Sequence, residues 1–535
     1  MFDIFGVPST VLFGQLLLGL INGSFYALLS IGLAVIFGLL NIINFAHGAQ
    51  YTAGAFLAWM LLKYAGVNYW AALVLVPLIM AAFAVATERL LISRTYRMDH
   101  LYGLLLTFGI ALLIEGALRQ AYGVSGLPYS IPKALTGGIN LGFMFLPWYR
   151  GWAVVISLVL CLAVWLLIEK TSVGATLRAA TENPVVVGSF GINVPLLITL
   201  TYALGVALAS IAGVIAAPIY QVSPLMGSNL IIVVFAVVVI GGMGSILGAV
   251  VSGLGLGVIE GLTKVFYPEA ANLAIFVIMV LVLLVKPAGL FGKPLQVQNV
   301  LAAEATREPV QLGRRAMVLA MAALAVAAVA APWFFYPTFL MKVLCFALFA
   351  AAFNLLVGYV GLLSFGHAAF FGAAAYATGL VMKSLGATPE VGLLAGVLTG
   401  GLLGFVFGAI AIRRQGIYFA MITLALSQLV YFIAVQARFT GGEDGLQSVP
   451  RGKLFGLVDL ESTMSMYYFT LVVFVVGYAF VLRVLNSPFG EVIRSVRDTE
   501  QRARSLGYSV WHYKLLAFPL SAAVAGLAGG LKVLV

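Results

Sequence analysis

SPFGEVIRSVRDTEQRARSLGYSVWHYK, residues 487–514, is the most charged run in a chain that is otherwise nearly all apolar. Apolar segments long enough to cross a bilayer flank it, at 466–482 and 515–534. So polar a run must lie in water, which makes it a loop between two spans. Arg494, Arg497, Arg502 and Arg504 assign that loop to the cytoplasmic side. It is also patterned. Residues 491–497 read as a short helix with Ile493 and Val496 on one face. Asp498, with Gln501 three residues on, reads as the capping box of a second helix, and Gly507 suits a helix C-terminus. Two short helices between spans predict a rigid projection that another protein can grip.

The first half carries the same object, TSVGATLRAATENPVVVGSFGI at 171–192. Gly174, Arg178, Glu182 and Gly191 fall against Gly490, Arg494, Asp498 and Gly507 at one constant offset. Asn183 followed by Pro184 is an N-cap followed by proline at the first helical position, so the helix–break–helix plan recurs. A basic loop kept only for topology is the alternative. The repeated, ordered plan favours a docking site for a cytoplasmic partner.

Apolar residues are 63% of the 535 and charged residues 9%, which excludes a soluble domain and predicts an all-α, polytopic membrane protein. The net charge of +11 is no nucleic-acid signal, because Lys and Arg gather in loops that alternation assigns to one side. These are Arg89, Arg94 and Arg97; Lys170 and Arg178; Lys286 to Arg315; Arg413 and Arg414; and the group around Arg494. Cys161 and Cys345 lie in apolar spans and offer neither a disulfide nor a metal framework. No Lys or Arg precedes Lys63, so the N-terminus reads as outside and not as a cleavable leader.

Two polar breaks interrupt the membrane sequence. NIINFAHGAQYTAGAF at 41–56 crowds Asn44, His47 and Gln50 into a span, and GYVGLLSFGHAAFFGAAAY at 358–376 does so with Ser364 and His367. Such breaks persist only where backbone is buried in protein or lines a wet cavity. Phe45, His47 and Ala49 fall against Phe365, His367 and Ala369, and Tyr102 and Thr107 against Tyr418 and Thr423. The repeat therefore runs from the breaks through the loops. Since both loops face the cytoplasm, the halves are expected to be parallel repeats about an axis along the membrane normal. The boundaries read as a first transmembrane domain at 1–288, a cytoplasmic linker at 289–315 and a second domain at 316–535. Gly213 falls against Gly529, beyond which the first half continues through GGMGS at 241–245. The second half stops at Val535, either cut short or abbreviated.

Four motifs carry a family resemblance that runs over nearly the whole chain. NFAHG at 44–48 and GGMGS at 241–245 resemble one permease type of branched-chain amino acid ABC importers; LSFGHAAF at 363–370 and GYSVWHYKLLAF at 507–518 resemble the other. The chain looks like both, fused end to end. The resemblance implies a multi-pass protein of the bacterial inner membrane, with its path between the halves. Two cytoplasmic ABC ATPase subunits would hold the loops, and a periplasmic substrate-binding protein would deliver the solute. Branched-chain amino acids are the implied cargo; urea, short amides and aromatic acids are alternatives.

Asn44, His47, Gln50, Ser364 and His367 either line this path or cap and pack the broken helices. No ligand spacing accompanies either histidine, so no metal is expected. There is no GxxxxGK[ST] and no catalytic constellation, so no cofactor is expected and ATP hydrolysis belongs on other subunits. Glu88, Glu115 and Glu260 are expected as interfacial charges near helix ends. A self-sufficient secondary transporter, the rival class, needs a buried carboxylate and no docking loops.

Overall fold

The computed structural model describes residues 3–4, 7–40, 44–96, 98, 100–292 and 313–535. It falls into two compact units, Met1–Glu304 and Ala305–Val535. Most of the linker expected at 289–315 lies outside the described residues, as do Asn41 at the start of the first break and Arg97.

Unit 1 runs α1 (Ser9–Leu40), α2 (Ala46–Ala65), α3 (Tyr69–Leu90), α4 (His100–Tyr122), α5 (Trp148–Lys170), α6 (Ser172–Glu182), α7 (Pro184–Ser189), α8 (Val194–Tyr220), α9 (Met226–Gly241), α10 (Ile246–Phe266) and α11 (Ala271–Val285). Unit 2 runs α12 (Arg314–Ala330), α13 (Pro337–Asn354), α14 (His367–Leu385), α15 (Pro389–Ala411), α16 (Ile417–Gln436), α17 (Thr463–Leu485), α18 (Pro488–Asp498), α19 (Glu500–Ser505) and α20 (Val510–Leu534). Among the described residues, 13 helices are long and apolar enough to cross a membrane. Strands among the described residues are confined to ribbons of two or three residues. The protein is an all-α, polytopic membrane protein, as its composition requires.

Sequence signals set the helix ends. Asn68 accepts from Ala71 N at 2.9 Å, Asn193 from Leu196 N at 3.1 Å and Ser245 from Gly248 N at 3.0 Å, each closing the first turn of a helix. Gly66 and Gly386, at φ +64° and +62°, close α2 and α14 in left-handed conformations.

Unit 1 is built around α1. Of the apolar window in Ser9–Gly38, 83% is buried, against 17% in Leu101–Tyr122, so α1 is the centre of the unit and α4 an exposed rim. Lipid tails are as apolar as leucine, so helices associate by close packing and not by the hydrophobic effect. The spacing-four glycines of α10 supply that packing. A Cβ on Gly257 would collide with Gly19 O and the Gly23 backbone, one on Gly253 with Ala27, and one on Gly261 with Gln15 O. Two helices thus touch backbone to backbone along three turns. Asn22 adds an exposed bond from α1 to the end of α8, accepting from Tyr220 at 3.2 Å.

The repeat is visible as geometry within each unit. A Cβ on Gly213 of α8 would strike Tyr51 O of α2; one on Gly529 of α20 would strike Phe371 O of α14. Tyr51 and Phe371 each follow the histidine of their break by four residues. Cys161 and Cys345 are buried in the spans.

Gly255 shares α10 with Gly257 but meets nothing within 4 Å. Gly257→Leu is therefore expected to cost upward of about 3 kcal/mol, the upper range for an overpacked core, and Gly255→Leu well under 1 kcal/mol. Thermal unfolding of the two variants in detergent measures the contrast.

Candidate functional site

In the first break, α1 ends at Leu40, and Asn44 and Phe45 turn the chain into α2. Asn44 holds that turn: its Oδ1 accepts from Ala46 N and its amide donates to Gln50 Oε1, both at 3.1 Å. Gln50 in turn donates to the Tyr202 hydroxyl on α8 at 2.8 Å. Phe45 N donates to Thr107 Oγ1 on α4 at 3.2 Å. His47 Nε2 lies 2.9 Å from Leu29 O on α1, with Gly32 beside the ring. Asn44, His47 and Gln50 are fully buried. A polar chain thus joins α1, α2, α4 and α8 at the point where the helix breaks.

Unit 2 repeats the plan with other atoms. Ser364 Oγ accepts from Gly366 N at 3.1 Å, the bond that Asn44 makes in unit 1. Phe365 N donates to Thr423 Oγ1 at 3.1 Å, matching Thr107. His367 Nε2 lies 2.8 Å from Ser521 Oγ on α20, and Ser521 donates to Ala352 O on α13 at 2.6 Å. Phe353, Phe370 and Phe518 surround the imidazole edge-on or tilted, at centroid distances of 5.1, 5.5 and 6.2 Å. Gly205 stands at the register of Ser521 in the first half, which leaves His47 to bond backbone instead. Thr107, Tyr202, Thr423 and Ser521 complete the breaks. The threonines were legible as a repeated pair, but Tyr202 and Ser521 carry no local signal.

Both loops are helix–break–helix projections, α6–α7 and α18–α19. Thr171 and Ser487 cap their first helices, accepting from Gly174 N at 3.4 Å and Gly490 N at 3.3 Å. Neither glycine has room for a side chain: a Cβ would strike Ile168 O or Leu485 O, carbonyls in the last turns of the preceding spans. Arg178 donates to Ile168 O and faces Glu169 at 3.5 Å. Arg494 donates to Leu485 O and to Glu491, both at 3.1 Å. The paired arginines therefore tie each loop to the span before it. Gly191 and Gly507 take φ +79° and +89°. Gly507 N bonds Arg504 O at 2.9 Å and Tyr508 N bonds Ala503 O at 3.2 Å, the two bonds of a Schellman motif.

Two expectations need correction. Asn183 caps α7 through Val186 N at 3.1 Å as read, but Asp498 does not cap α19. It ends α18 and pairs with Arg497 at 2.8 Å; Thr499 occupies the cap position without a side-chain bond. Glu182, its counterpart, is exposed at the end of α6. The carboxylates Glu88 and Glu260 are not interfacial but buried, at 2% and 4% exposure. Tyr96 and Thr199 donate to Glu88 at 2.6 and 2.8 Å; Tyr26 and Lys264 donate to Glu260 at 2.8 and 2.5 Å. Both oxygens of each carboxylate are taken by protein donors, so each acts as a helix-bridging anchor.

A further contact joins the second loop to the second break. After Asn354 the helix widens into a π-turn, Leu355–Val360, a form that often marks functional positions. Arg497 of α18 donates to Gly358 O at 2.6 Å, and the Arg494 guanidinium lies 5.4 Å from the Tyr359 ring centroid. The loop is thus pinned to the segment that leads into Ser364 and His367.

Sequence comparison assigns this architecture. A family described as "Branched-chain amino acid transport system / permease component" matches twice, over residues 15–285 and 335–535. The chain belongs to this family. The high-affinity branched-chain amino acid transport system permease protein BraD of Pseudomonas aeruginosa is 30% identical over 293 residues, covering 52% of this chain and 95% of BraD. LivH of Escherichia coli K12 is 28% identical over 295 residues, again 52% of this chain and 95% of the relative. LivM of the same organism is 31% identical over 206 residues, 33% of this chain and 47% of LivM. The two kinds of relative cover different parts of the chain, as two permease units in one polypeptide require. No solved structure matches.

Ser521→Ala removes the bridge between His367 and α13 and leaves a buried ring nitrogen without its partner. It is expected to lower stability by about 1–3 kcal/mol. Ser384→Ala, at an exposed position of α14, should leave the melting temperature unchanged. Thermal unfolding of the purified variants decides.

Proposed function

We propose that the chain is the membrane permease of an ABC importer, with transmembrane domains at 1–288 and 316–535, taking branched-chain amino acids or similar small polar solutes into the cytoplasm. Two ATPase subunits supply the energy by docking on α6–α7 and α18–α19, and an external substrate-binding protein delivers the solute. Bacterial relatives support placing it in the inner membrane, with both loops cytoplasmic.

One observation carries this reading: two loops of unlike sequence share one rigid plan, each fixed to its span by an arginine and closed by a positive-φ glycine. Their outer faces are also apolar for segments in water. Val185 is 77% exposed, Phe190 79% and Leu506 66%, which fits surfaces covered by a partner. In this account Gly174, Arg178, Glu182 and Gly191 form one docking element, and Gly490, Arg494, Asp498 and Gly507 the other.

Asn44, His47, Gln50, Ser364 and His367 shape the translocation path by fixing where α2 and α14 leave their breaks. Arg497 gives the second loop a direct mechanical hold on its break through Gly358. Movement of a docked ATPase then reaches the His367–Ser521–Ala352 bridge without passing through solvent.

Gly507→Val strains the Schellman turn by roughly 1–3 kcal/mol. A loss of that size in the docked state corresponds to about 5–150-fold weaker association. The variant should reach the membrane while its ATPase subunits dissociate, or hydrolyse ATP without uptake. Arg497→Ala, which removes the hold on Gly358 and the pair with Asp498 but keeps Gly490, Arg494 and Gly507, should retain the ATPases and their hydrolysis but lose most solute uptake in vesicles. Normal uptake by both variants would remove the coupling role.

A further inference from the structure

One carboxylate of the membrane spans is not closed by the fold. Glu88 and Glu260 have both oxygens taken by protein donors. Glu115 differs. It lies inside the apolar span of α4, roughly 10 Å along the helix axis from the end at Tyr122. Its side chain is half-buried and makes one exposed hydrogen bond, in which Ser228 Oγ donates to Oε2 at 2.5 Å. Oε1 has no partner among the described residues, and none of the described ion pairs includes Glu115. Arg119, one turn on, is exposed and does not pair with it.

The bond to Ser228 places this carboxylate beside the first break. Ser228 follows Gly227, whose N–H donates to Thr52 Oγ1 on α2 at 3.0 Å. A Cβ on Gly227 would strike Gly48 O, and Gly48 follows His47 in the first turn of α2. The repeated architecture does not require a charge here. Tyr102 against Tyr418, and Thr107 against Thr423, set a register in which Glu115 falls against Tyr431.

Lipid does not accommodate an open carboxylate on a span; such residues face protein or water and take a partner. The chain supplies a hydroxyl and no cation, so the missing partner is a cation from outside the chain. The ammonium group of an amino acid fits. It has donors only, and Glu115 Oε1 and the Ser228 Oγ lone pairs are acceptors. Urea and short amides bring no charge, and an aromatic acid without an amino group brings the wrong one.

We propose that Glu115, set in place by Ser228, is an ammonium subsite of the translocation path and selects amino acids over urea, amides and aromatic acids. This rests on the chain being a permease and narrows its solute.

Saturation-transfer NMR titrations of the detergent-purified chain test it, with L-leucine and with 4-methylpentanoate, which has the same side chain and no ammonium. Leucine should bind the wild type more tightly than 4-methylpentanoate. Glu115→Gln keeps an oxygen for Ser228 and removes the charge, so it leaves the link between α4 and α9 in place; leucine binding should weaken by upward of tenfold. Glu115→Asp keeps the charge and should recover part of that loss. Glu269→Gln, at an exposed position of unit 1, should bind leucine as the wild type does. Equal leucine affinity of wild type and Glu115→Gln would overturn the proposal. Equal loss in Glu115→Asp and Glu115→Gln, or equal affinity of the wild type for the two probes, would also overturn it. No leucine binding by the wild type would overturn the subsite alone, whereas absence of leucine uptake by wild-type vesicles would overturn amino-acid transport and the subsite with it.

Discussion

A glycine pressed on the backbone of a neighbouring helix is the contact on which each unit depends. Gly213 on Tyr51 O and Gly529 on Phe371 O set how closely the helix after the loop approaches the helix after the break. In unit 1, Gly253, Gly257 and Gly261 do the same between α10 and α1. Bilayer interiors offer no hydrophobic gain for bringing helices together, so such contacts must supply the packing themselves. Any side chain at these positions separates the helices, and the polar bonds between them lengthen with that separation. Gln50 to Tyr202 and His367 to Ser521 both bridge helix pairs that the glycines hold in contact.

The polar breaks follow from that closeness. Backbone freed where a helix ends at membrane depth must find partners inside the protein. Thr107 and Thr423 answer this in both units, each accepting a phenylalanine N–H. Asn44 and Ser364 each accept the N–H two residues on. The second break is also tied to α18 through Arg497 and Gly358, and α18 to α20 through Val492, Val496, Ala503 and Val510. Glu500 braces the same object by accepting from Arg504 at 2.6 Å and Lys514 at 2.8 Å. The loop, the π-turn and the histidine form one connected body.

Much of this was readable in the chain because it is local or periodic. Spans follow from apolar length, α10 packing from glycines at spacing four, and the loops from caps, charge and one repeated register. Family membership rested on motifs that straddle those same features. The errors share a different cause. Glu88 and Glu260 read as interfacial because they lie near helix ends, while the donors that bury them, Thr199 and Tyr26, are distant in sequence. Asp498 has the composition of a cap, yet Arg497 beside it takes the carboxylate and Thr499 starts the helix. The π-turn leaves no compositional trace: LLV at 355–357 reads as ordinary span and GYV at 358–360 as the opening of the break.

The central claim is that both loops are rigid docking elements for ATPase subunits, and contact mapping tests it most directly. Single cysteines replace Phe190 beside α7 and Leu506 beside α19, both exposed, in a Cys161→Ala, Cys345→Ala background co-expressed with the ATPase subunits. Each cysteine is predicted to cross-link an ATPase subunit and to resist an impermeant thiol reagent added outside intact cells. Labelling from outside, or no cross-link from either position, would contradict the account.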